Sequence, residues 1–324
     1  SEEFDIPVVC IGNLTVGGTG KTPVAELLIE RFSEHYRVGV LSRGYRRKTK
    51  GFVLSTPTSS ARTIGDEPRQ MKLKYPSVPV AVCEKRAEGI RLLRKAHPEI
   101  ELIILDDAFQ HRYVEPWVNI LLMDYNNPVY RDRLLPWGRL RDTRNQIHRA
   151  NFVLVTKCPD DLNPLDMRIV INSLGLFPYQ SLYFTRMRQG EITPLFADRA
   201  VGKVREGDPV IAMSGIANPV PLLENLRKRF DVVAELTFDD HHTYRLSDMR
   251  RLEALFAAYP AVVLTTEKDA VKLTNRKKVP EAVQQRLYYV PIHVSFVADS
   301  ESEFLRQLEL YVRTNQKYSL LHPE

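Results

Sequence analysis

At 324 residues, 44% hydrophobic and 27% charged, the chain is long enough for two domains with separate cores, and its ordinary globular composition excludes disorder and low complexity. The formal net charge of +6 is a mild bias toward anionic partners: a nucleotide, a phosphorylated substrate, an anionic lipid or nucleic acid. Cys10, Cys83 and Cys158 are too far apart to suggest a metal or disulfide pattern, no signal-peptide pattern appears, and no apolar run reaches the ~20 residues that span a bilayer.

In chain order, the first half alternates short β-branched runs with amphipathic ones. Strands are predicted at Pro7–Ile11, Val38–Ser42, Pro79–Cys83, Glu101–Asp106, Val118–Met123 and Phe152–Thr156. Their nearly continuous apolar character suits strands buried on both faces. Helices are predicted between them at Pro23–His35, Glu67–Tyr75 and Lys85–His97. This alternation implies a mostly parallel sheet with helices on both faces. The basic stretch Gly44–Thr56 reads as a hairpin that could close over a site as a lid.

Residues 181–196 read as two short strands about Gly190, a connector to a second, smaller α/β domain. There, strands are predicted at Pro209–Met213, Val232–Thr237, Ala261–Thr265 and Tyr288–Ile292, and helices at Val220–Phe230, Ser247–Ala258 and Glu301–Thr314. The expected division is therefore 1–180 and 181–324.

"GNLTVGGTGKTP" (Gly12–Pro23) nearly spells a phosphate-binding loop; the strict pattern wants glycine where Thr15 stands. Its context is a buried-type strand before and an amphipathic helix after. Backbone N–H groups over Thr15, Val16, Gly17, Gly18, Thr19 and Gly20 would converge at a helix N-terminus. Lys21 would reach the β- and γ-phosphates, and the Thr22 hydroxyl would bind Mg²⁺. "ELIILDDAFQH" ends a strand in Asp106–Asp107, the Walker-B arrangement for the same metal. The fold class that follows is a P-loop NTPase-type α/β sheet, whose ligands lie at the carboxyl ends of its strands.

Beyond these two motifs, "LSRGY" (Leu41–Tyr45), "GDEP" (Gly65–Pro68), "LLPWGRLRD" (Leu134–Asp142), "MSGIANP" (Met213–Pro219), "DDHHTY" (Asp239–Tyr244) and "LTTEKDAVKL" (Leu264–Leu273) follow in order. Together the motifs resemble the tetraacyldisaccharide 4′-kinases, the lipid A 4′-kinases of Gram-negative bacteria, over nearly the whole chain. The resemblance implies transfer of the ATP γ-phosphate, with Mg²⁺, to the 4′-hydroxyl of a tetraacylated glucosamine disaccharide 1-phosphate. It also implies peripheral attachment to the cytoplasmic face of the inner membrane. Family members carry a membrane-anchoring segment before the first strand, and this sequence starts almost at that strand.

Asp66 in "GDEP" reads by itself as a helix N-cap. The resemblance makes it the catalytic base, paired with a histidine of "DDHHTY", of which His241 is favoured over His242; such a pair suits deprotonation of an alcohol. Arg86 matches a family arginine near the nucleotide phosphates; its plain reading is a solvated helix face. Asp142 stands where the family usually has Glu and is the further metal-ligand candidate beside Thr22, Asp106 and Asp107. The arginine-rich segment Arg131–Arg149, with Leu134, Leu135 and Trp137, reads equally as a solvated loop or as a patch for the lipid headgroup and membrane surface. A different P-loop ATPase or GTPase, such as a metal-insertion factor, is the alternative. No nucleic-acid partner is expected, since no aromatic-basic stacking motif or helix-turn-helix signature appears.

Overall fold

The computed structural model describes residues 1–321, with side chains through Thr314. Two compact units emerge: Ser1–Arg188 together with the chain from His293 on, and Gln189–Ile292.

In the first unit, β1 (Val8–Asn13), β2 (Val38–Ser42), β3 (Val53–Leu54), β4 (Val80–Val82), β5 (Leu102–Asp106), β6 (Val118–Asp124), β7 (Phe152–Thr156), β8 (Ser181–Gln189) and β14 (Ile292–Phe296) build a sheet of order β14-β8-β7-β6-β1-β5-β2-β4-β3. The pairings from β8 through β4 are parallel, and β3 is antiparallel to β4. Alternate residues of each strand enter different cores, as the two-residue strand period requires. Val8 and Cys10 join a cluster with Ile90 and Leu93 of α4 (Arg86–Ala96) and Val170 and Leu174 of α5 (Pro164–Leu174). Val9 and Ile11 join another with α1 (Lys21–Phe32), Met71 of α3 (Asp66–Lys74) and Phe304, Leu308 and Val312 of α10 (Glu301–Leu321). Burial on both faces explains why these strands read as unbroken apolar runs.

In the second unit, β9 (Thr193–Pro194), β10 (Pro209–Ser214), β11 (Asp231–Thr237), β12 (Val262–Thr266) and β13 (Leu287–Val290) form a sheet of order β11-β10-β12-β13-β9, parallel except for β9. α6 (Val220–Arg229) packs on one face through Leu222, Leu223 and Leu226. On the other lie Met249 and Leu252 of α7 (Leu246–Ala258) and Val283 of α9 (Glu281–Arg286).

Three expectations are corrected. The connector is not a unit: β8 is an interior strand of the first sheet and β9 an edge of the second. The division at 180/181 gives way to one in which β14 and α10 return to the first unit, where their aromatic and aliphatic side chains fill its core. The stretch 44–56 is no hairpin, because its two-residue strand β3 pairs with β4 instead.

Candidate active site

β1 and β5 are parallel neighbours with Ile11 opposite Asp106, so the loop after β1 and the acidic end of β5 meet at the carboxyl edge of the sheet. Gly17 and Gly20 take left-handed backbone angles (φ 103° and 86°), and Gly20 caps α1. A Cβ at Gly17 or Gly18 would touch nothing within 4 Å, so the cradle is open. At Gly20 it would strike the Met187 methyl at 2.2 Å. The N–H groups of Gly17, Gly18, Thr19 and Gly20 find no protein acceptor among the described residues. Four donors without a protein acceptor, ahead of a helix, make an anion site.

The loop is fastened from behind. Thr156 Oγ1 donates to the Thr19 carbonyl at 2.8 Å, and Lys157 donates to the Gly18 carbonyl while pairing with Asp124 at 2.7 Å. In front, the Val16 N–H reaches the Arg139 carbonyl at 2.8 Å, and buried Thr15 bridges Leu140. Thr15, where the strict pattern has glycine, is thus part of a short ladder and costs the loop nothing.

Lys21 opens α1 with its ammonium 3.3 Å from Asn13 Oδ1 and 3.6 Å from Asp107. The acidic doublet divides its work. Asp107, in a left-handed conformation, also pairs with Arg141 at 3.0 Å; burial raises its pKa, but Lys21 and Arg141 outweigh that and hold it below the usual value. Asp106 is buried and accepts from Ser42 Oγ at 3.2 Å, while its Oδ1 has no partner. Burial, reinforced by the Asp107 charge and opposed by Lys21, pushes its pKa up to about 7. A buried, unpartnered carboxylate oxygen beside a phosphate cradle fits a hard cation such as Mg²⁺.

Asp142 does not join it: its carboxylate is taken by Arg112 at 3.2 Å and by the Thr143 N–H at 2.8 Å. Nor, among the described residues, do three His, Cys, Asp or Glu side chains gather as a metal site. Asp106, with its unpartnered oxygen, is the carboxylate of the doublet that fits a cation, which suits a magnesium ion completed by phosphate oxygens and water.

Arg86 is not on a solvated face. It is 2% exposed and donates to the carbonyls of Cys83 (2.9 Å), Glu84 (3.3 Å) and Asp107 (3.5 Å); burial lowers its pKa. Asp66 is the first residue of α3, and the N-cap is Gly65, not Asp66 as the sequence suggested. In the second unit, His241 is left-handed (φ 63°), with Nε2 3.4 Å from Lys268 and 3.6 Å from Asp240. His242 is packed: it stacks on Phe238 at 4.3 Å, meets Tyr244 edge-on and pairs with Asp248 at 2.9 Å. The doublet thus splits into a packing histidine, His242, and His241, whose ring lies beside Lys268 and Asp240.

The Asp106 shift has a measurable consequence. Between the ordinary carboxylate pKa and about 7, the folded nucleotide-free protein holds a proton that the unfolded chain has released. Stability therefore falls as pH rises through that window. Asp106→Asn removes this contribution, so urea midpoints at about pH 5 and about pH 8 should separate less for the variant than for wild type. Equal separations would show that Asp106 titrates normally.

A profile of the tetraacyldisaccharide-1-P 4′-kinase family matches residues 1–311. The chain belongs to this family. Tetraacyldisaccharide 4′-kinases of Phocaeicola vulgatus and Bacteroides thetaiotaomicron are 44% and 43% identical to it, each over 98% of this chain and 89% and 88% of their own lengths. The crystal structure of the Aquifex aeolicus enzyme, described as an "apo" form in complex with ATP, is 27% identical with a TM-score of 0.72; the match covers 96% of this chain and 90% of that one.

In this tetraacyldisaccharide 4′-kinase family member, the structure gathers Lys21, Asp106, Asp107 and Arg86 at one edge of one unit, while Asp66 and His241 belong to different units. It also adds residues the sequence did not single out. Asn13 receives Lys21 and Arg141 on its side chain and Gln110 on its carbonyl. Thr156 and Lys157 lie in "LVTKC", a segment that faintly echoes a guanine-reading motif and instead buttresses the phosphate loop.

Proposed function

We propose that this chain transfers the γ-phosphoryl group of ATP to the 4′-hydroxyl of a tetraacylated glucosamine disaccharide 1-phosphate, a step of lipid A biosynthesis. The observation that carries the reading is the row of acceptor-free N–H groups from Gly17 to Gly20, next to Lys21 in the chain, together with the unpartnered oxygen of Asp106 at the end of the neighbouring strand. Those donors and Lys21 hold the β- and γ-phosphates, and Arg86 and Arg141 add positive charge around the acidic doublet. Magnesium, which Asp106 and Thr22 would hold, would supply charge neutralisation to the phosphates.

The bond from the acceptor oxygen to the γ-phosphorus forms as the bond to the bridging oxygen breaks, and ADP leaves. Asp66 takes the hydroxyl proton, and His241 is the histidine assigned to assist that step. The match to the kinase family along the chain favours this reading over a metal-insertion factor. The test is incubation with γ-labelled ATP and the disaccharide 1-phosphate: label should pass into the lipid fraction, and label released only as inorganic phosphate would refute the reading.

An acceptor with four acyl chains resides in a bilayer, so we place the chain at the cytoplasmic face of the inner membrane. Among the described residues no helix is long and apolar enough to cross a membrane. Support for surface contact comes from Leu134, Leu135 and Trp137, all exposed (Trp137 at 84%), among Arg131, Arg133 and Arg139. Basic residues near an anionic leaflet contribute about 1 kcal/mol each and are screened by salt. Co-sedimentation with anionic vesicles should be detectable at low salt and lost at high salt; protein that stays in the supernatant at low salt contradicts surface binding.

A further inference from the structure

α1 is buried along most of its length, and one carboxylate is buried with its apolar residues: Glu26, 3% exposed, beside Val24, Ala25, Leu27 and Leu28. A buried charge needs partners. Those of Glu26 come from α3. Gln70 Nε2 donates to one carboxylate oxygen at 2.8 Å, and the Lys74 ammonium pairs with the other at 2.6 Å. The Tyr75 hydroxyl donates to the Glu26 backbone carbonyl at 3.2 Å. We propose that Glu26 is a positioning residue for phosphoryl transfer: through Gln70 and Lys74 it fixes the rotation of α3 about its axis, and so the placement of Asp66 relative to the phosphate loop. The proposal rests on the kinase reading, in which Asp66 is the base.

The helical period carries it. Asp66, Gln70 and Lys74 follow at i, i+4 and i+8 and form one stripe of α3; Thr22 and Glu26 follow at i and i+4 on α1. The stripe that Glu26 holds is therefore the one that begins with Asp66. Its own stripe begins at Thr22, one turn, about 5.4 Å, nearer the phosphate loop. Each helix leads back to the start of a strand in the same parallel sheet, α1 to β2 and α3 to β4, so both begin near the carboxyl edge where that loop lies. A rotation of α3 that shifts Gln70 must shift Asp66 with it.

Packing and energetics agree. α3 adds Met71, with Tyr75 at its end, to the core it shares with α1. The residue before Asp66, Gly65, lies at φ 96° and makes no side-chain cap bond, so a capping side chain does not set the start of the helix. Exchanging a buried ion pair for apolar side chains of similar volume is often neutral for stability. The grip on α3 therefore supplies direction more than cohesion: a carboxylate between two donors selects one rotation, whereas apolar contact is non-directional. Direction matters at a base, because a displacement of about 1 Å costs roughly a hundredfold in rate.

Glu26→Leu combined with Gln70→Leu replaces the grip by apolar contact, and Lys74, with a side chain 34% exposed, can turn to water. This apolar variant should melt near wild type and keep its KM for ATP, yet lose about ten- to a hundredfold in kcat. In an Asp66→Ala background the same change should cost no further kcat. Glu26→Gln combined with Gln70→Glu re-forms the amide–carboxylate bond with its ends exchanged and should recover most of kcat. Glu26→Gln alone keeps an oxygen for Gln70 and drops the charge that holds Lys74; it should act in the same direction with a smaller loss, and it carries the same comparisons if the apolar variant does not fold. Hydrogen exchange without substrate reads the grip itself: peptides from α3 should exchange faster in the apolar variant, or in Glu26→Gln in its place, while those from β5 keep their protection. Wild-type kcat in the folded variant, an equal loss with and without Asp66, an exchanged pair that folds but stays slow, or α3 exchange at the wild-type rate each overturns the proposal. Failure of phosphoryl transfer by wild type, with the α3 exchange response intact, would sink the kinase reading while the grip on α3 stands.

Discussion

Lys21→Ala is expected to abolish phosphoryl transfer, lowering kcat/KM by several orders of magnitude in a protein that still folds. Lys21 is partly exposed, and among the described residues its ammonium meets Asn13 and Asp107 at the rim of the cradle, so its removal opens no apolar core. What is lost is charge placed where the transferring phosphoryl group gathers it, an effect worth several kcal/mol of barrier. Asp106→Ala should fall as far by removing the carboxylate proposed to hold the cation, and it leaves the Ser42 hydroxyl without its acceptor. Circular dichroism and thermal melting separate chemistry from unfolding. Wild-type turnover in either folded variant is incompatible with the assignment of the loop.

Asp66→Ala should lower kcat severely while leaving ATP affinity nearly unchanged, because Asp66 opens α3 and lies outside the phosphate cradle. His241→Ala should act in the same direction and less steeply. If the two form a relay, the loss in the double variant is much smaller than the sum of the single losses. Additive losses in activation free energy argue against a relay. His242→Ala offers a contrast: its ring is stacked on Phe238 and tied to Asp248, which also accepts the Arg245 N–H ahead of α7, so its main cost should be thermal stability. A catalytic loss with His242→Ala alone would exchange the roles of the two histidines.

The parts of this site that were legible in the sequence are those fixed by local chemistry. β2 and β7 lie at the predicted bounds, because continuous apolar runs flanked by polar or charged residues leave little freedom for strands buried on both faces. The loop and the acidic strand end were legible because glycine, lysine and carboxylate have distinct jobs at fixed spacing. α5 was missed. It buries only Val170 and Leu174, while Leu165, Ile169 and Ile171 stay exposed and blur its period, although Asn163 caps it through the Asp166 N–H and Gly175 ends it in the left-handed conformation.

Long-range pairing was the harder part. Nothing local in Tyr288–Ile292 tells that the chain changes sheet between β13 and β14, so the second boundary was lost. Asp142 resembled a metal ligand by position, and only the fold shows that Arg112, thirty residues earlier, takes its carboxylate. Arg86 could not be assigned to burial from its sequence neighbours, since its partners are backbone carbonyls, one of them brought from the end of β5. Asn13 and Lys157 belong to no strict motif, and their roles appear only when β1 and β7 bring their carboxyl ends to the same edge.

The most direct measurement of the central claim is the position of the new phosphate. Purified protein, ATP and magnesium are incubated with the tetraacyl disaccharide 1-phosphate, and the lipid product is fragmented in a mass spectrometer. The account predicts a single added phosphate on the 4′-oxygen of the distal sugar, dependent on Lys21 and Asp106. A product phosphorylated elsewhere, or ATP hydrolysed with the acceptor unchanged, would contradict it.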